Sequence, residues 1–160
     1  MRTRTLTTMA VFIAIGTIGA QLLWFPTGIA RAYPVQHAVN VMAGIMLGPG
    51  PAVVIAFMIG LLRNLFGPGT LLAFPGGMIG AFFAGYLYKK VGRKSWAIVG
   101  EAFGSGILGS LFAVPFAYIF MGTTVGVFAF LPGFIISSIS GACIGWFVVS
   151  KVKTNSIARV

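Results

Sequence analysis

Nearly all the charge in this chain is gathered at three points, and the sequence between those points is apolar. Of its eleven Lys and Arg, nine fall in the clusters Arg2 and Arg4; Lys89, Lys90, Arg93 and Lys94; and Lys151, Lys153 and Arg159. The one acidic residue, Glu101, lies inside an apolar stretch. Soluble domains carry about 25% charged residues, whereas this chain carries 8%, with 58% hydrophobic residues and a mean hydropathy of +1.02. The pattern is that of an all-α integral membrane protein whose basic clusters mark the cytoplasmic side. A pI of 10.8 does not point to nucleic acid, because the charges form no basic helix or aromatic-interleaved stripe. Contact with the anionic headgroups of the bilayer is compatible with them. The single cysteine, Cys143, has no internal disulfide partner and reads as core filler.

A spanning helix needs roughly 20 apolar residues at about 1.5 Å each. Residues 6–25 meet that requirement and are read as the first span rather than a cleaved leader, since Phe25-Pro26 is a poor cleavage site. The next apolar stretch is broken at Gly48-Pro49-Gly50-Pro51, which predicts two short helices, 35–47 and 52–66, joined by a hairpin. Further spans are expected at 75–88, 96–120 and 127–149. Six spans in one domain (1–160) place both termini and all three basic clusters on the cytoplasmic side, as their charge demands. Five would divide the clusters between the two faces. Two short helices barely cross the hydrocarbon, which predicts a solute pocket open to the outer side. Phe74-Pro75-Gly76 and Leu131-Pro132-Gly133 are expected at the outer mouth, opening the fourth and sixth spans.

Small residues at four-residue spacing, Gly100/Gly104, Ala81/Gly85 and Gly141/Gly145, are expected to let the helices approach closely within the protein. Ala10 and Ala14 share one face of the first span, with Thr17 a turn further. That face either packs internally or receives another membrane subunit.

Polar side chains inside a bilayer are costly and functional by default. Those expected near the outer side are Gln21, Arg31, Tyr33, Gln36, His37, Asn40, Arg63 and Asn64. His37 and Asn40, three residues apart, share a helix face. With Arg63 and Asn64 at the end of the antiparallel neighbour, they would form a polar cup walled by Trp24, Phe25, Tyr33, Phe66 and Phe74. Interfacial anchoring is the plainer role for His37, Arg63 and Trp24. Glu101 is either protonated, paired with Lys94 or another basic residue, or hydrogen-bonded to Ser105. Enzyme readings find no purchase: there is no second carboxylate, no nucleophile beside a base, no metal-ligand cluster, no phosphate loop and no cofactor motif.

The segments Trp24-Phe25-Pro26, Ala32-Tyr33-Pro34-Val35-Gln36-His37-Ala38-Val39-Asn40-Val41, Leu47-Gly48-Pro49-Gly50-Pro51, Gly60-Leu61-Leu62-Arg63-Asn64 and Ala73-Phe74-Pro75-Gly76-Gly77 carry a family likeness. The chain resembles the substrate-binding S components of energy-coupling factor (ECF) vitamin transporters, and more narrowly the ThiW group, regarded as carriers of the thiazole precursor of thiamine. The likeness runs from about Thr5 to Ala113 and fades beyond. It implies a prokaryotic plasma-membrane importer in which a T component and two cytoplasmic ATPases drive uptake. This subunit would capture a small thiazole from outside. It implies contact with the T component through Ala10 and Ala14, and outer loops at 27–34 and 67–72 capping the pocket. The substrate-binding residues so implied are Tyr33, Gln36, His37, Asn40, Arg63, Asn64 and Phe74, with His37 and Asn40 hydrogen-bonding the ligand and Tyr33 or Phe74 stacking on it. Another precursor, such as the pyrimidine half of thiamine, a stand-alone facilitator or exporter, and a membrane scaffold stay open as alternatives.

Overall fold

The computed structural model describes residues 3–27, 30–67, 69–122, 124 and 126–152. Arg2, Lys153 and Arg159 of the basic clusters, and residues 28, 29 and 68 of the expected outer loops, lie outside the described residues. The chain folds into helical rods connected by short turns. They are α1 (Thr3–Leu22), α2 (Pro34–Leu47), α3 (Pro49–Leu65), α4 (Ala73–Val91), a fifth rod (Ser95–Met121) and α7 (Val127–Lys151). The fifth rod comprises α5 (Ser95–Glu101), a π-helical stretch (Ala102–Leu108) and α6 (Gly109–Met121). Three rods are long and apolar enough to cross a membrane: α1 with 20 residues, the fifth rod with 27 and α7 with 25. Between α1 and α2 lies a feature the apolar pattern did not announce, two antiparallel strands β1 (Phe25–Thr27) and β2 (Ala30–Ala32). Pro26, which has no N–H to give a ladder, is accommodated because this two-stranded ribbon is all edge.

The α2–α3 turn is tighter than Gly-Pro-Gly-Pro suggested. Gly48 alone separates the helices, with φ +87°, a left-handed backbone that glycine adopts without strain. Pro49 then occupies the first position of α3, where its missing N–H costs no hydrogen bond. The expected start at residue 52 was therefore late by three residues. The π-helical widening of the fifth rod was also unforeseen. It ends seven residues before Pro115, which interrupts the backbone ladder of α6.

Glycines set the helix spacings, as the four-residue pairs suggested. A methyl group added at Gly104 would lie 2.7 Å from Gly80 Cα, and one at Gly109 would lie 2.7 Å from Gly76 Cα. The fifth rod thus lies backbone to backbone on α4. Gly141 and Gly145 seat α7 against Pro34, His37 and Ala38 of α2 in the same way. On α1, the buried stripe Met9, Phe12, Gly16 and Ala20 faces the bundle, and Gly16 admits the side chain of Ile59. Thr17 also turns inward and leaves the Ala10/Ala14 face, while Ala10 and Ala14 themselves are exposed. Cys143 is exposed rather than core filler. The exterior is apolar, with Leu6, Ile18, Phe112, Phe128 and Ile144 each at least half exposed, a surface suited to lipid as solvent.

Alternation of the rods gathers the α2–α3 turn, the α4–α5 loop with Lys89–Lys94, and Lys151 at one end of the bundle. Lys94 Nζ donates to Val149 O there at 3.0 Å. The strand pair, the α3–α4 loop and the start of α7 lie at the other end.

Candidate solute-binding site

A cavity of about 520 Å³ opens at the end of the bundle away from the Lys89–Lys94 cluster. Most of its wall comes from four places in the chain, with Gly67, Thr70 and Leu72 of the α3–α4 loop and Met121 of the fifth rod completing it. The strand pair and the first turn of α2 supply Arg31, Tyr33, Gln36 and His37; the end of α3 supplies Arg63. The start of α4 supplies Gly76 and Gly77, and α7 supplies Phe130, Gly133, Phe134 and Ser137. Pro34 at the first position of α2 fixes where that helix begins, so Gln36 and His37 fall in its first turn. The two glycines of α4 present bare backbone to the cavity, and Gln36 packs directly over Gly77.

Two buried polar groups flank this space. In the first, Glu101 is fully buried. Its Oε1 lies 2.7 Å from His37 Nδ1 and accepts from Asn40 Nδ2 at 3.0 Å. Ser105 Oγ lies 2.8 Å from both Glu101 Oε1 and Gly76 O, and its single proton serves one of them at a time. Asn40 Nδ2 also donates to Gly77 O at 3.1 Å, which fixes the amide orientation because both its partners are acceptors. Three rods are thereby tied together at the floor of the site. With Nδ1 directed at the carboxylate, His37 keeps Nε2 as its second polar atom, and the residue lines the cavity.

In the second, Arg63 is 2% exposed. Its Nη1 donates to Gln36 Oε1, its Cζ stands 3.7 Å above the ring of Tyr33, and its Nε has no partner. Tyr33 is held in turn by its backbone N–H, which donates to Ser137 Oγ at 2.8 Å. No carboxylate forms a salt bridge with Arg63; among the described residues the one ion pair is His37–Glu101. Nearer the mouth, the guanidinium of Arg31 sits 4.2 Å above the ring of Trp24.

The residues singled out in the sequence divide accordingly. Tyr33, Gln36, His37 and Arg63 line the cavity. Asn40 lies behind His37, fully buried. Asn64 Nδ2 bonds Gly60 O at 2.8 Å and Thr70 O at 3.3 Å, bracing the α3–α4 loop. Phe74 packs on Phe57 and against Gly60, away from the cavity lining. Of the expected aromatic walls, Trp24, Phe25 and Phe66 are 43%, 38% and 64% exposed and stand outside the lining. The aromatic wall opposite Tyr33 comes from Phe130 and Phe134 instead. These two were missed because the last third of the sequence offered no charge. Ser137 and Ser138, polar residues in an apolar span, were the available signal. Glu101 meets Ser105, one of the arrangements left open, and it does not meet Lys94, which reaches Val149 instead.

An all-α bundle with membrane-length apolar rods and a cavity walled by aromatic and hydrogen-bonding side chains has the form of a small-solute membrane carrier. Residues 6–155 match the family model "Thiamine-precursor transporter protein (ThiW)", and the chain belongs to that family. The match carries through the last third, beyond the Ala113 limit of the likeness read from the sequence. No curated protein matches the chain.

Proposed function

We propose that this chain is the substrate-capturing S component of an ECF importer and that its cavity takes 4-methyl-5-(2-hydroxyethyl)thiazole from outside a prokaryotic plasma membrane. In this reading the single domain crosses the bilayer six times, with both termini and the basic clusters cytoplasmic and the cavity facing out. The observation that carries it is the cavity at the end of the bundle away from those clusters, walled by family-likeness residues of α2 and α3. Its volume falls within the roughly 300–1,000 Å³ range of small-molecule sites. Tyr33 and the Phe130/Phe134 wall would sandwich the thiazole ring. His37, Gln36 and Arg63 would hydrogen-bond its polar atoms, Asn40 would hold His37 through Glu101, and Asn64 and Phe74 would shape the loop and helix that close the cavity. The exposed Ala10 and Ala14 fit a docking face for the T component, since small side chains admit another helix closely.

The test is uptake of labelled thiazole alcohol into proteoliposomes holding this chain alone or with a T component and two ATPases. ATP-dependent accumulation that requires all four subunits is expected. Equal uptake by the chain alone would overturn the importer reading in favour of a facilitator.

A further inference from the structure

Arg63 is a buried cation in a chain with one acidic side chain, and that acid is engaged elsewhere. Glu101 Oε1 lies within hydrogen-bond distance of His37, Asn40 and Ser105, and Oε2 of the same carboxyl has no partner. Around Arg63 stand the amide oxygen of Gln36 and Tyr33, which offers its ring face and also interacts electrostatically with the guanidinium. Both are electron-rich and orient the guanidinium, yet neither cancels its charge. Its Nε is buried without a partner. Burying a charge without its counter-ion is strongly unfavourable, and native structures ordinarily pair such a group or leave it facing something that will. Here Arg63 lines the cavity, and the second arginine of the wall, Arg31, stands closer to the mouth on the exposed face of Trp24. The remaining nine Lys and Arg belong to the three basic clusters, so the two arginines outside those clusters both reach this cavity.

We infer that the cavity contains an anion-recognising subsite, formed by Arg63 with Arg31 in front of it, and that its preferred solute carries a carboxylate or phosphate ester beside the ring. This rests on the capture reading above and narrows its substrate class. The neutral alcohol fills the aromatic and His37 part of the cavity, while an anionic relative also supplies the charge that Arg63 lacks. A guanidinium offers a planar fork of donors matched to either oxyanion. Gln36 and Tyr33 hold that fork in place before the solute arrives, which reduces the ordering needed on binding.

The test is equilibrium titration of the detergent-purified full chain with four probes: the thiazole alcohol, its phosphate ester, the corresponding carboxymethyl thiazole, and inorganic phosphate. One or both thiazole anions should bind at least about tenfold more tightly than the alcohol, the gain expected of hydrogen bonds to a charged group. Arg63→Gln should abolish that preference, weakening the anions at least about tenfold more than the alcohol, and Arg31→Gln should reduce it in part. Which anion wins distinguishes ester from carboxylate. Inorganic phosphate competing as well as the ester would show that the site reads the ion rather than a ring-bearing solute, and would overturn the stated preference. If Arg63→Gln does not fold, Arg63→Lys, which keeps the charge but loses the fork, should give a preference between those of the wild type and none. Equal affinity of the wild type for alcohol and anions would overturn the subsite and leave the capture reading intact. Binding of no thiazole at all would overturn both.

Discussion

The two sides of the cavity treat their buried charged groups in opposite ways. Glu101 Oε1 meets polar groups from α2 and its own rod and is paired with His37, so the floor of the site is tied together, while Oε2 of the same carboxyl has no partner. Arg63, no more exposed than a core isoleucine, has a ring and an amide for company and no counter-ion. A paired buried charge ties elements together, and removing one partner leaves the others stranded. An unpaired one contributes little to the fold and is disposed toward whatever enters the cavity. The floor is therefore expected to govern stability and the wall to govern selectivity.

The largest effect should come from breaking the floor. Glu101→Ala leaves His37 Nδ1 and Asn40 Nδ2 without their carboxylate, a loss of about 3–5 kcal/mol for one partner of a buried pair. Thermal unfolding in detergent should show a large fall in Tm, and an unchanged Tm would remove the distinction between floor and wall. Gly80→Ala should do similar damage without removing any polar group, because its methyl would press on Ser105 Oγ and on both carboxylate oxygens. On the wall, Arg63→Met should change stability by about 1 kcal/mol or less in either direction, since the uncompensated charge leaves with the side chain. A destabilisation matching that of Glu101→Ala would mean that Arg63 is structural. The smallest effect belongs to Ala14→Leu. On an exposed face it should leave Tm and thiazole affinity unchanged to within roughly 0.5 kcal/mol, while lowering ATP-driven uptake if that face receives the T component. Uptake equal to wild type would dismiss that face as a docking surface.

Much of this arrangement was legible in the sequence, for identifiable reasons. Basic clusters separated by apolar runs announce helices and their ends, because charge is excluded from hydrocarbon. The boundaries shifted by a few residues where local backbone chemistry intervened, as at Gly48-Pro49. Tyr33, Gln36, His37 and Arg63 stood out because a polar group in an apolar span calls for a reason. The contribution of α7 did not, since Phe130 and Phe134 look like any lipid-facing phenylalanine until the fold shows which way they point. The carboxylate that orients His37 comes from a residue 64 positions away. No periodicity carries such a pairing, and it follows only from the close crossings that Gly80, Gly104 and Gly141 permit. The strand pair escaped notice because two three-residue segments leave no recognisable alternation.

The central claim is that the cavity captures a thiazole through the side chains of its α2 wall. Native mass spectrometry of the detergent-released protein, offered the thiazole alcohol, its phosphate, the pyrimidine precursor and thiamine, tests it most directly. The account predicts retention of a thiazole by the wild type and its loss in His37→Ala. Retention of none of the four, or a thiazole held equally well by His37→Ala, would contradict it.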